Sequence, residues 1–529
     1  MFALIRRLWR LYKVLGFVVP VSMATVFVRY TPSAVMLEAI RMGCIAGLVI
    51  MAWLALRLLR TPGDTHGSAT FASRFEIMRA GLFRKHGVIL GRKGLRLMRF
   101  ARDGHLLTFA PTRSGKGTGC VIPNLLDHPG SVVVTDIKGE NYAVTRRWRE
   151  SFGQVFAIAP FNRSLPQSGF NPLDFIRVGQ PEDVDDAALI ADLLVVKEGA
   201  QSFWDSEAEN IIAAIILHVV YTRTPQDRNL HEVWSLLMGH REAFEDVIAE
   251  MRSSPHNAIR RAGDAFSQKD ERERSGVIST AQTHMKIWKS PLLAKVTRHS
   301  DFQLEDLKRQ TVSLYVVVPP EMLDVYRPFV RLMVGLAVAA MTRVSSRPRH
   351  HVLFLLDEIA ALGRVTPIEA GIGYLAGYGV RLWLFFQDLD QIQKTYSKWR
   401  SIIANCNVRQ AFGVSDYQTA HEVSMMMGNR TVWAASAGKS GDFLLPVMPS
   451  HFHRNTAEAP RALMTPDEIM AMSQKRQLIF VQACRPILAR KVRYFDEPLF
   501  RYRYDSFDHH VGARAGVPSL ASRFACWFF

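Results

Sequence analysis

Residues 108–119 read TFAPTRSGKGTG, an apolar strand that runs straight into a turn carrying Ser114, Gly115, Lys116 and Gly117. A chain that wraps in this way points consecutive backbone N–H groups inward as an anion cradle, and a lysine at its tip brings mobile positive charge to the outer phosphates of a nucleotide. The helix expected from about Lys116 aims its positive end at the same anion. The stretch therefore predicts a P-loop, with Thr112, Arg113, Ser114, Gly115, Lys116, Gly117 and Thr118 binding the nucleotide. Two positions depart from the usual GxxxxGK[ST] pattern: Ala110 replaces the first glycine, and Gly117 replaces the hydroxyl residue that helps hold magnesium. Either Thr118, one place late, takes that role, or water and a carboxylate on another strand carry the metal.

That carboxylate strand is residues 351–358, HVLFLLDE, a continuous apolar run closed by two acids. Such a run reads as a parallel strand buried on both faces, and acids at its carboxyl end lie where open α/β sheets bind ligands. Asp357 is then the magnesium residue, and Glu358 orients or deprotonates the attacking water.

Outward from these two strands, further strand-like runs fall at Leu106–Ala110, Ser131–Ile137, Gln154–Pro160, Thr311–Val318, Arg381–Phe386, Val408–Val414 and Leu478–Ala483. Alternation with helical segments predicts a parallel sheet covered on both faces. Between about Leu173 and Ser300 only helical periodicity remains, in segments such as AENIIAAIILHVV. The predicted fold class is thus an α/β P-loop domain, residues 105–172 and 301–495, interrupted by an all-helical insertion, residues 173–300, that can move as a lid or substrate arm. Residues 62–104, rich in Gly, Arg and Lys, are expected as a membrane-proximal stem, and 496–529 as a loop-like tail whose FACWFF end docks on this chain or on a partner.

The chain has 529 residues and a formal charge of +18. That excess favours a polyanionic partner or an anionic membrane surface. Five scattered cysteines without CxxC spacing suggest a reducing compartment and exclude a disulfide framework or a zinc site of that pattern. Two apolar stretches, Val14–Val28 and Val35–Leu59, each approach the length of a spanning helix. Arg6, Arg7, Arg10 and Lys13 precede the first, and Arg57 and Arg60 close the second, so residues 1–61 read as a two-helix anchor with both termini on the cytosolic side.

The segments APTRSGKGTGCVIPNLL, SVVVTDIKGENY, FWDSEAENII, STAQTHMKIW, LLDEIAALG, FFQDLDQIQKTY and ANCNVRQAFG, in this order over about residues 66–490, resemble the type IV coupling proteins, the TraG/TraD-like membrane ATPases of conjugation and type IV secretion. SGKG is common in that family's P-loop. The resemblance implies a RecA-like motor, a helical cap, and a homo-hexameric ring at the bacterial inner membrane, multi-pass with its bulk cytoplasmic. It implies hydrolysis of ATP with Mg2+ to recruit DNA with its relaxase, effector proteins, or both, and to deliver them to the other components of a secretion channel. Sequence-independent contact with single-stranded DNA would follow along a basic ring lumen.

By the same resemblance Lys116 contacts the outer phosphates, Thr118 and Asp357 the metal, and Glu358 the water, while Gln387 sits where a γ-phosphate sensor is expected. The helix ahead of the sensor strand reads YLAGYG without the arginine of some relatives, which leaves Arg381 and Arg409 as candidates for an arginine finger. Asp136 is a further candidate near the phosphates. A nucleotide-responsive receptor without productive hydrolysis is the competing function. The run Lys269–Arg274, KDERER, reads as a solvated helix face, and the pairs His350–His351, His451–His453 and His509–His510 lack companion cysteines at zinc-site spacing.

Overall fold

A computed structural model describes residues 42–43, 45–47, 49–51, 53, 64–196, 203–440 and 451–507. The two expected spans therefore lie outside the described residues except for helical residues between 42 and 53, where Met42, Ile45, Val49, Ile50 and Trp53 are exposed. The FACWFF end and His509–His510 also lie outside.

The main element is an 11-stranded sheet. Its strands are β1 Val88–Lys93, β2 Arg96–Phe100, β3 His105–Phe109, β4 Val132–Asp136, β5 Gln154–Ile158, β6 Val312–Val317, β7 Val352–Leu356, β8 Val380–Phe386, β9 Cys406–Ala411, β12 Arg476–Val481 and β13 Ile487–Arg490, with β10 Asn429–Ser440 and β11 His451–Ala462 forming a separate pair. The spatial order is β2-β1-β13-β12-β9-β3-β8-β7-β4-β6-β5. From β9 to β5 every pairing is parallel, and from β9 to β2 every pairing is antiparallel. The sheet is thus mixed and not wholly parallel, because residues 88–100 and 476–490 supply two hairpins that extend its edge.

Alternation along each central strand explains the continuous apolar runs. Leu107, Val133 and Phe354 face one core, and Leu106, Val134, Leu353 and Leu355 face the other. The first core continues without interruption into the helices between β5 and β6, including Phe203–Thr222 and Glu271–Met285. Among the described residues that segment contains helices and no strand. The first core also takes in Pro320–Arg343, the one described helix long and apolar enough to cross a bilayer; 67% of its most apolar stretch is buried inside the protein, which marks a core helix. Pro328 and the non-helical Tyr326 kink it near its start.

Two compact units divide the described chain. Residues 71–419 with 470–507 hold the sheet and its helices. Residues 64–70 with 420–469 hold the antiparallel pair β10–β11, bridged at Arg430 by Ser68.

Candidate functional site

The P-loop strand β3 lies beside β8, and β8 beside β7, so the carboxyl ends of three parallel strands converge. There the chain breaks into the turn Pro111–Gly115, held by Ser114 N–H donating to the Pro111 carbonyl at 3.2 Å. Arg113 (φ 62°) and Gly115 (φ 87°) both take left-handed backbone, which at Gly115 suits the missing Cβ. Gly413, after β9, approaches so closely that a Cβ there would lie 2.9 Å from Cβ of Ser114. The helix that follows opens with a π-turn, Gly117–Val121, before the α-turn Ile122–Leu125. Beside Gly117, where a hydroxyl residue usually stands, a Cβ would meet nothing within 4 Å. The Thr118 hydroxyl turns back to the Gly115 carbonyl at 3.4 Å.

Lys116, only 7% exposed at its side chain, reaches across to β7, where Nζ donates to Glu358 Oε1 and lies 3.0 Å from Asp357 Oδ1. Burial pulls the ammonium down, but the Asp357 and Glu358 carboxylates more than offset it and hold Lys116 above its ordinary value. Burial, opposed by Lys116 and reinforced by Glu358, pushes the Asp357 carboxyl up. Glu358 has φ 51°, left-handed for a non-glycine residue, and its N–H donates to Asp357 Oδ1 at 3.1 Å. Such strain is sustained only where the surroundings over-determine it. Gln387, just past β8, donates from Nε2 to Glu358 Oε2 at 2.9 Å while its backbone N–H is held by Gln391. Lys116, Asp357, Glu358 and Gln387 are therefore one hydrogen-bonded cluster, and Thr112 to Thr118 line the same cavity of about 760 Å³.

Asp136, at the end of β4, lines this cavity too and caps the helix Glu140–Glu150 by accepting Tyr142 N–H at 2.9 Å. Burial pushes its carboxyl up to about 6, against the N–H donors of Tyr142, Asn141 and Lys138. The ordinary value is 3.8, so the folded chain holds this proton more tightly than the unfolded one. Stability from this group is complete below about pH 4 and is lost as pH rises to about 6, about 3 kcal/mol in all. Asp136→Asn should melt above the parent at pH 7.5 and lose that advantage at pH 4.5. An equal difference in Tm at both pH values contradicts the assignment.

Arg381 is not an arginine finger. It starts β8, at the end of the strand remote from the cluster, and is 2% exposed. Its guanidinium donates to the carbonyls of Arg102, Gly104 and Phe100, closing the turn that follows β2. Arg409 lies within β9, partly buried and facing Leu107 on one side and Phe480 on the other. KDERER is not a free face either: Lys269 binds Glu207 at 2.7 Å, and Arg274 pairs with Glu245, so the run ties three helices together.

Sequence reasoning missed Lys491, Arg493 and Phe495, which line the cavity from the chain's far end. Lys491 Nζ donates to the Ser114 carbonyl at 2.6 Å and lies 4.5 Å from the Phe412 ring centroid. Tyr494 N–H donates to the Thr118 carbonyl at 3.2 Å, and Phe500 packs with Ile122 and Leu126 beneath the P-loop helix. The basic KVR directly after the last strand was the available signal. Lys491→Ala should weaken nucleotide binding by roughly tenfold, the scale of one hydrogen bond from a charged group. An unchanged Kd in a fluorescent-nucleotide titration contradicts it.

The sequence profile of the family described as "Type IV secretory system Conjugative DNA transfer" matches residues 64–518. The chain is similar to a conjugal transfer protein TraG from Escherichia coli, 29% identical over 512 residues, covering 86% of this chain and 78% of that protein. It is also similar to protein VirD4 from Agrobacterium fabrum, 28% identical over 475 residues, covering 86% and 69%. Its fold resembles the plasmid coupling protein TrwB, solved with the ATP analogue ADPNP, at a TM-score of 0.61 and 16% identity over 82% of this chain and 96% of that one. TrwB with ADP and Mg2+ gives a TM-score of 0.60 at the same identity and coverage. With its P-loop and acidic strand meeting at one end of a TrwB-like sheet and a family match over most of its length, the chain belongs to the type IV secretory system conjugative DNA transfer family.

Proposed function

We propose that this protein is an ATP-hydrolysing coupling protein that recruits DNA with its relaxase, effector proteins, or both, and delivers them to a type IV secretion channel. The observation that carries this reading is the cluster of Lys116, Asp357, Glu358 and Gln387, the first three lining a 760 Å³ cavity, in a chain of the conjugative DNA transfer family. The two amino-terminal apolar stretches would anchor it in the inner membrane with the bulk in the cytoplasm, and a homo-hexameric ring would complete the motor.

The residues present fit ATP and Mg2+. The loop from Thr112 to Thr118 is open beside Gly117, and a buried lysine is aimed into it. Asp357, with Thr118, would hold magnesium, which when bound supplies neutralising charge to the phosphate oxygens. Lys116 would exchange its two carboxylates for phosphate oxygens. Glu358, released from Lys116 and still fixed by Gln387, would take the proton of the attacking water as oxygen bonds the γ-phosphorus and the bond to the bridging oxygen breaks.

The test is phosphate release by the full chain in lipid discs, with and without single-stranded DNA, beside Lys116→Ala and Glu358→Gln. Turnover that exceeds both variants and rises with DNA supports the motor. Turnover no greater than theirs, with nucleotide still bound, favours a nucleotide-responsive receptor instead.

A further inference from the structure

Residues 71–100 carry eight Lys and Arg against one acid, Glu76, a net charge of 8 − 1 = +7 within thirty residues of a chain whose total is +18. Arg99 is committed to Asp127, Arg92 to Glu497, and Glu76 to the cap of its own helix and to Arg485. Arg74, Arg79, Arg84, Lys85, Lys93 and Arg96 have no acidic partner among the described residues. Arg74, Lys93 and Arg96 gather on one surface: the Arg74 guanidinium lies over the β1–β2 turn, where a Cβ on Gly94 would come within 2.4 Å of it. Arg96 stacks over Phe83. Burial first, and then the neighbouring Arg476 and Arg74, hold Lys93 below the ordinary lysine range.

Within this basic surface stand apolar side chains facing outward. Leu95, at the tip of the β1–β2 turn, is 88% exposed; Phe75 and Met78, on one face of the helix Arg74–Arg79, are 65% and 53% exposed, while Ile77 on the other face is buried. Exposed apolar groups interspersed with lysine and arginine are the chemistry of a surface that seats at the boundary between lipid headgroups and acyl chains. A nucleic-acid backbone would satisfy the charges and leave Leu95 and Met78 in water. Chain position points the same way: only ten residues separate Arg60, which closes the second apolar stretch, from Phe71, where this unit begins. At about 3.5 Å per extended residue that tether spans under about 40 Å.

We infer that the face built by the helix Arg74–Arg79 and the β1–β2 turn docks on anionic lipid headgroups of the membrane that anchors the chain, an inference that rests on the membrane-anchored reading above. The docking site is a juxtamembrane polybasic surface with apolar teeth, its affinity set by the anionic lipid fraction and screened by salt.

The experiment is hydrogen exchange on the full chain in lipid discs of phosphatidylcholine alone and of phosphatidylcholine with phosphatidylglycerol. Peptides covering 74–79 and 92–97 should exchange at least threefold more slowly in the anionic discs. Arg79→Gln with Arg96→Gln should abolish the difference, and Leu95→Gln should reduce it, with exchange in β3, β7 and β8 unchanged in both variants. Equal exchange in the two discs overturns the inference while leaving the anchor intact. Failure of the chain to be retained in discs overturns the anchor and the inference together. Protection of the same peptides in neutral discs by a single-stranded oligonucleotide, but not by anionic lipid, assigns the face to nucleic acid and overturns the lipid assignment.

Discussion

Lys116→Ala is expected to lower ATP turnover on the order of 10³-fold, the scale of removing a preorganised charge from a phosphoryl-transfer site. The structure adds a second consequence. Lys116 is the cation between Asp357 and Glu358, and without it two adjacent carboxylates face each other across a partly buried site. Asp357, already pushed up by burial and by Glu358, loses the group that opposes that rise. Magnesium dependence of nucleotide binding should therefore shift to higher pH in the variant than in the parent. Lys116→Arg should rescue little, because a planar fork cannot occupy the narrow space that a point charge fills. Turnover in Lys116→Ala within tenfold of the parent would falsify the assignment of this lysine to the phosphates.

Glu358→Gln should lower kcat by 10²–10⁴, roughly the range for loss of a positioned general base, while nucleotide binding is kept or tightened. The tightening follows from the hydrogen bonds: Glu358 competes with phosphate for Lys116, and a neutral amide competes less well. Gln387 still holds the substituted side chain, so the geometry survives and the chemistry fails. A KM that rises in step with the fall in kcat means that Glu358 binds substrate and does not activate water. Gln387→Ala, which removes only the donor to Oε2, should fall between parent and Glu358→Gln.

The two motifs that decided the fold were legible because both are extremes of simple patterns. The run Val352–Leu356 can only be apolar throughout if both sheet faces are covered, and the core indeed alternates Leu353 and Phe354 to opposite sides. The strands read at 106–110, 131–137, 311–318 and 381–386 lie within a residue or so of β3, β4, β6 and β8. The edge was harder. In β1 and β13, basic residues mix with apolar ones, and the place of β1 beside β13 depends on a partner nearly 400 residues away, in the pairing of Arg92 with Arg490. No local period encodes that distance. Arg381 misled for the same reason, since the carbonyls that fix it belong to the turn after β2. Lys491 was invisible because only the folded sheet returns it to Ser114. The second half of β10 is a Gly-, Ala- and Ser-rich stretch, AASAGKS, that carries no strand pattern.

The back wall of the P-loop comes from the last described residues of the chain. The Ser114 and Thr118 carbonyls find their partners in Lys491 and Tyr494, and Asp505 N–H closes on the Val144 carbonyl at 3.0 Å. During synthesis the ribosome makes the cradle some 380 residues before it makes these partners. Until residues 491–505 have emerged, the nucleotide pocket lacks the wall that they supply.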